Sequence, residues 1–279
     1  MKVTYLGTTM LLFDDGEDQI LFDCHVTRPS VLKFLGGRLA TDTKTADRVI
    51  REIGFGRLRG IFISHTHHDH VLDAPYFALR CHAGIYGSES AMNVARGGGV
   101  PEEMLHSFRE SMEFRIGDFR VTVIPSVHSK AHWYNNDLGK TIDAPLVQPA
   151  RKKEFREGGS YDFFIFHKGR KYLIRPSYNY LEGQLDGYKA DVLFLGIAGI
   201  SKDTEARRER FFAETVGKTG PKVVVPVHWD NFLRPLYGGV KIMPGFIEDT
   251  GKAMGILAEY CERAGVSCVV QLPLTGAEF

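Results

Sequence analysis

Four histidines and one aspartate crowd into residues 65–70, in the stretch IFISHTHHDH, directly behind an apolar run. His65 and His67 stand two residues apart, and Asp69 and His70 follow at once. Imidazole nitrogens and carboxylate oxygens are the usual ligands of zinc, manganese and iron in proteins. The spacing therefore predicts one half of a metal site, and the alternative is a solvated polar loop.

Further histidines follow predicted strands elsewhere in the chain. His128 ends the strand-like run VTVIPSVH, and His228 ends VVVPVH. Functional side chains of layered α/β folds gather where strands end. The combined set is large enough to hold two zinc-type ions, each with a position left for water. It comprises His65, His67, Asp69, His70, His128 and His228.

The composition narrows the class of protein. The chain has 279 residues, 43% of them hydrophobic, which is enough for a sizeable core. Its formal net charge of +1 creates no global field for nucleic acid, so we expect a small-molecule substrate. No interface pattern indicates an oligomeric state.

The sequence also bears on the compartment. No apolar run approaches the roughly 20 residues of a membrane span, and the N-terminus lacks the apolar core of a signal peptide. The 4 cysteines form no CxxC pair, which is typical of a reducing environment. We therefore expect a cytoplasmic protein.

Strands and helices alternate along most of the chain. Short β-rich runs at the start give way to a helical stretch, TDTKTADRVIREIGFG, for which Thr41 or Asp42 is the expected N-cap. Strands and helices alternate again in the last third, and no linker interrupts them. This order predicts an α/β fold in one domain, residues 1–279, with sheets sandwiched by helices. Residues 129–160 have little periodicity and are expected to form an insertion loop near the site.

Residues His65-x-His67-x-Asp69-His70 match the HxHxDH signature of the metallo-β-lactamase superfamily, which this chain resembles over almost its whole length. The resemblance implies an αββα sandwich of two mixed β-sheets packed face to face, with helices on both outer faces. PVHWDNF and LFLGIAG also resemble the ascorbate-phosphate lactonase-like branch.

The resemblance implies a ligand assignment. The first metal would take His65, His67 and His128, and the second Asp69, His70 and His228. The resemblance implies two divalent ions, with zinc as the preferred metal and manganese or iron as alternatives.

One position departs from the family pattern. Members usually have a strand ending in Gly-Asp, whose aspartate bridges both metals, whereas this chain has Arg175-Pro176-Ser177 there. Because a bridging carboxylate neutralises charge between two dications, Ser177 leaves open whether one ion or two bind. One metallo-β-lactamase subclass resembles this pattern, with serine there and two zincs.

Other side chains are expected around the metals. Asp23 is the candidate partner for a ligand histidine. His132, Tyr134, Arg175 and Ser177 are candidate substrate contacts, because an aromatic wall and an arginine clamp would suit a small anionic substrate. The alternatives are a loop packing its own aromatics and an arginine paired with Asp23 or another local acid.

These residues together predict a metal-dependent hydrolase. A zinc-type ion would activate hydroxide for attack on an ester, lactone or amide bond of a small molecule, and Asp69 would orient it and relay its proton as the catalytic residue. The alternatives are a phosphodiesterase or phospholipase-D-like hydrolase of the same superfamily, and a metal-binding protein of this fold without turnover.

Overall fold

Two seven-stranded mixed sheets dominate the computed structural model, which describes residues 1–109, 111–130 and 136–279. The first sheet has the order β16 (Thr275–Glu278), β1 (Lys2–Tyr5), β2 (Leu11–Asp14), β3 (Gln19–Phe22), β5 (Leu58–Phe62), β6 (Gly84–Gly87) and β7 (Leu105–Ser107). Its strands pair antiparallel from β16 to β3 and parallel from β3 to β7.

The second sheet mirrors this division. Its order is β15 (Ser267–Cys268), β14 (Val223–Val227), β13 (Val192–Gly196), β12 (Arg170–Arg175), β11 (Ser160–His167), β9 (Phe119–Ser126) and β8 (Glu113–Ile116). Strands β12 to β15 pair parallel, and β8, β9, β11 and β12 pair antiparallel. A separate two-residue pair joins β4 (Arg38–Leu39) to β10 (Ala150–Arg151).

Aromatic side chains fill the space between the two sheets. The ring centroid of Phe13 in β2 lies 5.4 Å from that of Tyr172 in β12 and 5.6 Å from that of Phe194 in β13. Phe22 in β3 lies 5.1 Å from Phe163 in β11. These three aromatic pairs cross from one sheet to the other, and each buried ring contributes about 1.5–3 kcal/mol by leaving water.

Helices cover the outer faces. The chain forms α1 (Val31–Gly36), α2 (Thr43–Val49), α3 (His68–Val71), α4 (Ala74–Cys81), α5 (Glu89–Gly97), α6 (Glu205–Phe212) and α7 (Thr250–Ala264). Buried residues of α2, α4 and α5 share a second apolar cluster with the outer side of the first sheet. Phe211 of α6 and Leu257 of α7 join the main cluster on the second sheet. The predicted αββα sandwich is confirmed.

The structure shows which of the two candidate residues is the N-cap of α2. The Asp42 side chain accepts hydrogen bonds from the backbone N–H groups of Lys44 and Thr45, so Asp42 and not Thr41 is the N-cap of α2. Thr41 instead donates its backbone N–H to Gln148, 2.9 Å away.

The ends of three strands bring the histidines to one edge of the sandwich. β5 ends at Phe62, three residues before His65, and β14 ends at Val227, directly before His228. β9 ends at Ser126, so His128 lies two residues beyond the strand that the sequence assigned to it. Within the described ranges, no helix is long and apolar enough to cross a bilayer.

Candidate metal centre

Three imidazoles surround a common point at the edge of the sandwich. The ring centroid of His65 lies 4.9 Å from that of His67 and 4.7 Å from that of His128. The ring centroids of His67 and His128 are 4.7 Å apart. One nitrogen from each ring lies within 4.8 Å of the other two. This is the first of the two ligand groups that the sequence predicts.

The second group lies beside the first. Oδ2 of Asp69 is 3.6 Å from Nε2 of His70 and 3.4 Å from Nε2 of His228. The rings of His65 and His70 are only 3.8 Å apart, so the two groups are neighbours. The structure therefore brings all six predicted ligands together, three and three.

The spacing fits a tetrahedral ion. Ligand atoms about 2.1 Å from zinc at tetrahedral angles lie about 3.4 Å from one another, close to the two distances around Asp69. Nε2 of His65 is buried and has no hydrogen-bond partner among the described residues. Because buried polar atoms are normally paired, an unpaired imidazole nitrogen at this point is what a ligand position requires. The residues therefore fit the metal ions that the fold implies.

A protein atom holds the other ring nitrogen of several histidines. Nδ1 of His65 lies 3.1 Å from the Ser64 hydroxyl, and Nδ1 of His128 lies 3.0 Å from the Ser129 carbonyl. Fixing one nitrogen sets the tautomer and aims the other at the common point.

In each ligand group, a carboxylate holds one ring nitrogen of one histidine and so orients that ring. Oδ2 of Asp23 lies 2.7 Å from Nδ1 of His70, as the sequence leads us to expect for a partner of a ligand. Both oxygens of Asp137 lie 3.2 Å from Nε2 of His67, which leaves Nδ1 of that ring for the first group. Asp137 lies in the segment 129–160, and no spacing pattern in the sequence points to it.

Protonation states follow from burial and charge. Burial, followed by repulsion from His70 and His128, holds the pKa of His65 well below its usual value. Burial and then His67 lower the pKa of His128 to about 3. His65 and His128 are therefore neutral at pH 7, with lone pairs available for a metal ion.

Asp69 remains ionised for a different reason. Burial alone raises its pKa, but attraction to His70 and a hydrogen bond from His228 outweigh burial and hold the pKa well below its usual value. The second group thus offers a carboxylate next to imidazoles, the harder of the two ligand sets.

The backbone is constrained at this edge. Asp23 and His228 have positive φ angles of 51° and 59°, and so does Thr8 at 54°. The His228 N–H donates to the Thr8 carbonyl at 2.5 Å. Left-handed conformations are uncommon for residues other than glycine and concentrate at functional sites, where surrounding contacts must maintain them.

The candidate substrate contacts have different outcomes. His132 and Tyr134 lie outside the described residues. Ser177 follows β12 and is largely buried, and its carbonyl accepts the N–H of Asn179 at 3.0 Å. A contact of Ser177 with substrate stays a prediction.

Arg175 lies at the end of β12 but has partners inside the protein. Its Nη1 is 3.1 Å from Oδ2 of Asp162, and each of these side chains is 1% exposed. Its Nη2 donates to the Asn179 carbonyl at 2.7 Å, and the Asn179 amide donates to the His128 carbonyl at 2.6 Å. This placement argues against the predicted substrate clamp and favours the alternative ion pair. The acid is Asp162, not Asp23, and Arg175 supports the His128 loop through Asn179.

A polar network absent from the sequence interpretation borders the second group. Nη1 of Arg28 lies 3.0 Å from Oδ2 of Asp230, and both side chains are almost fully buried. Oδ1 of Asp230 accepts the Tyr5 hydroxyl at 2.8 Å and the Thr8 N–H at 2.6 Å. Asp230 therefore fixes the chain directly after His228. Its only sequence signal is its place in HWD.

Comparison with known proteins agrees with this geometry. A UPF0173 protein of Pyrococcus furiosus is 24% identical over 232 residues, 83% of this chain and 85% of its own length. A UPF0173 metal-dependent hydrolase of Chloroflexus aurantiacus is 24% identical over 216 residues, 76% of this chain and 75% of its own. The metallo-β-lactamase fold protein YhfI of Bacillus subtilis has a similar structure, with a TM-score of 0.59, 14% identity and 99% coverage of both chains.

A family model makes the relationship explicit. The model described as the beta-lactamase superfamily domain matches residues 18–229, which include all six candidate ligands. The two mixed sheets, the outer helices and the similarity to YhfI agree with that match. The chain therefore belongs to the β-lactamase superfamily and has the metallo-β-lactamase fold that its HTHHDH motif predicts.

Proposed function

We propose that this protein is a metal-dependent hydrolase that holds two divalent ions, with zinc as the preferred ion. We propose that it cleaves an ester, lactone or amide bond of a small molecule. The observation that carries the proposal is the pair of adjacent three-residue groups, His65, His67 and His128 beside Asp69, His70 and His228. The UPF0173 relative of Chloroflexus aurantiacus, which bears the name metal-dependent hydrolase, supports it further.

The two ligand groups would hold one ion each. Bound there, divalent ions would supply Lewis acidity and lower the pKa of water, so that a nucleophile is available at neutral pH. Ser177 in place of a bridging aspartate does not remove any of the six ligands, and Asp69 contributes the carboxylate that the second group needs. Two equivalents are therefore the expected stoichiometry.

Asp69 would be the catalytic residue of the reaction. Its Oδ2 faces His70 and His228, while Oδ1 lies 3.6 Å from Nδ1 of His68. A buried carboxylate that keeps its charge can accept a hydrogen bond from the attacking water and hold the proton in transit to the leaving group. His67 and His70 stay in place meanwhile because Asp137 and Asp23 fix their rings.

Lys152 adds positive charge beside this carboxylate. Burial lowers the pKa of its ammonium, and attraction to Asp69 and Asp137 offsets only part of this effect. The ammonium lies 4.6 Å over the Phe34 ring, and Phe34 in turn contacts His68. A cation at this position favours substrates that carry a carboxylate or phosphate near the scissile bond, so phosphodiesters belong in the substrate panel.

Metal content measured with turnover tests the proposal. Protein purified without chelator is analysed for bound metal and assayed on nitrophenyl esters, lactones and a nitrophenyl phosphodiester. We expect about two equivalents in the wild type and about one in His128→Ala and in His228→Ala. Turnover of a carbonyl substrate should be lost in these two variants. His106→Gln is the matched control, because this histidine stacks on Tyr86 and belongs to neither ligand group.

Three outcomes contradict the proposal in different ways. Absence of metal after reconstitution rules out the metal site, and metal without turnover on any substrate favours the binding protein without activity. Turnover of the phosphodiester alone would move the assignment to phosphodiesterase.

A further inference from the structure

Two segments that border the metal centre are unusual in charge. Residues 24–41 and 231–247 contain no aspartate or glutamate, although the chain has 34 of these residues. The same segments contribute exposed cations, Lys33, Arg38 and Arg234. We call these two segments together the basic rim.

The basic rim also exposes large apolar side chains. Leu32 is 84% exposed, Leu35 is 72% exposed and Phe246 is 82% exposed. Val31, Val240 and Ile242 in the same segments are 45%, 47% and 55% exposed. Helix α1, which carries Val31, Leu32 and Leu35, buries none of its residues. Single exposed apolar residues are ordinary, but several in two short segments beside the same site indicate a surface that another apolar phase covers.

Contacts hold the two segments together at the metal centre. The Arg28–Asp230 ion pair joins the first segment to the residue just before the second, and Asp230 forms an isolated β-bridge with Ile242. The rings of Phe34 and Phe232 lie 5.4 Å and 6.1 Å from that of His68, one from each segment. His68 stands between the ligands His67 and Asp69 in the chain, so both segments of the basic rim lie beside the metal centre.

A pair of like charges points to an anion at the same place. Arg38 in β4 and Arg151 in β10 are directly opposite each other in the two-residue antiparallel pair, and both are exposed. Like charges at directly opposed positions destabilise a strand pair, and an anion bound between the two guanidinium groups would offset this repulsion. Nη1 of Arg38 donates to the Pro149 carbonyl at 3.0 Å.

We propose that the basic rim docks the protein onto an anionic lipid surface. Leu32, Leu35 and Phe246 insert among acyl chains, while Lys33 and Arg38 pair with lipid phosphates. Exposed leucine and phenylalanine beside lysine and arginine, with no acid among them, is the composition of interfacial segments that bind anionic membranes. A second copy of the chain is a poor occupant, because two acid-free cationic rims repel each other.

Vesicle co-sedimentation of the metal-loaded protein tests the proposal. The probes are phosphatidylcholine vesicles with and without phosphatidylglycerol, at low and high salt. We expect binding to the vesicles with phosphatidylglycerol, weakened by salt. Leu32→Ser/Leu35→Ser and Lys33→Glu/Arg38→Glu should each weaken it by about tenfold or more.

Matched controls separate the rim from general surface properties. Leu79→Ser/Leu181→Ser removes two exposed leucines outside the rim, and Lys171→Glu reverses an exposed lysine on β12. Both controls should bind vesicles as the wild type does. Circular dichroism and metal content of each variant report folding, so loss of binding is not confused with loss of structure.

Several results would overturn the docking proposal. These are no binding to either vesicle, equal binding by all variants, and sedimentation velocity showing a dimer that Leu32→Ser/Leu35→Ser dissociates. None of these measurements depends on turnover, so the docking proposal and the hydrolase proposal fail separately.

Discussion

Nδ1 of His70 lies 2.7 Å from Oδ2 of Asp23, and each of these side chains is 1% exposed. The same carboxylate accepts hydrogen bonds from Thr9 and from the Ser64 N–H and hydroxyl groups. These hydrogen bonds hold Asp23 in place, and the His70 ring must therefore present Nε2 toward Asp69. This bond orients a ligand of the second group before any ion arrives.

Asp23→Asn should weaken binding of one of two ions by about 10–100-fold, because the amide loses the charge that orients His70. Competition with a chromophoric chelator measures the two affinities. Asp47→Asn is the control, since Asp47 is an exposed carboxylate paired with Arg80. Equal affinities in Asp23→Asn and the wild type would contradict the orienting role.

Asp137→Asn should weaken the binding of the other ion by about tenfold, because Asp137 contacts His67 of the first group. The expected loss is smaller, since Asp137 is more exposed than Asp23. Cobalt substitution distinguishes the sites, because each carries its own absorption bands. If Asp137→Asn and Asp23→Asn weaken the same cobalt site, the assignment of His67 and His70 to separate groups is wrong.

Local patterns in the sequence were sufficient for the main features of the fold and site. Apolar runs ended by histidine located β5, β14 and their ligands, and the order of strands and helices predicted the sandwich. Asp137 escaped prediction because it lies 70 residues from His67 along the chain, in a segment without periodicity. Arg175 was placed at the correct strand end, but its partner Asp162 is on a neighbouring strand and no local pattern shows which acid it pairs with.

Arg175→Met should destabilise the protein by about 3–5 kcal/mol, because it leaves the Asp162 carboxylate buried without its partner. Urea unfolding at pH 7 measures the free energy of unfolding. Arg175→Met/Asp162→Leu should recover most of the loss, since an apolar pair of similar volume replaces the ion pair. Arg170→Met, at the exposed start of β12, is the control.

A different result would restore the role that the sequence predicted for Arg175. If Arg175→Met leaves the free energy of unfolding unchanged and raises KM alone, the guanidinium contacts substrate. A fall in stability without recovery in the double variant would instead indicate that Arg175 acts mainly through Asn179.

Asp15 should make the stability depend on pH below about 4. It lies in the turn between β2 and β3, and its Oδ2 lies 2.9 Å from Nε2 of His167 at the end of β11, so it links the two sheets. Burial raises its pKa, but hydrogen bonds from the Asp18 N–H, from His167 and from the Glu17 N–H lower it from 3.8 to about 2. A pKa that folding lowers means that the ionised carboxylate stabilises the fold above about pH 3.8, and that this stabilisation is lost as the pH falls through about 2.

Asp15→Asn should therefore be less stable than the wild type by about 1–2 kcal/mol at pH 7, a value that allows for solvent screening. The difference should shrink below pH 3.8 and disappear near pH 2. Urea unfolding of both proteins across this range measures it, with Asp186→Asn as the control because that exposed carboxylate pairs with Lys218, away from the β2–β3 turn. A difference that stays constant with pH would mean that Asp15 stabilises the turn through its hydrogen bonds and shape, and not through its charge.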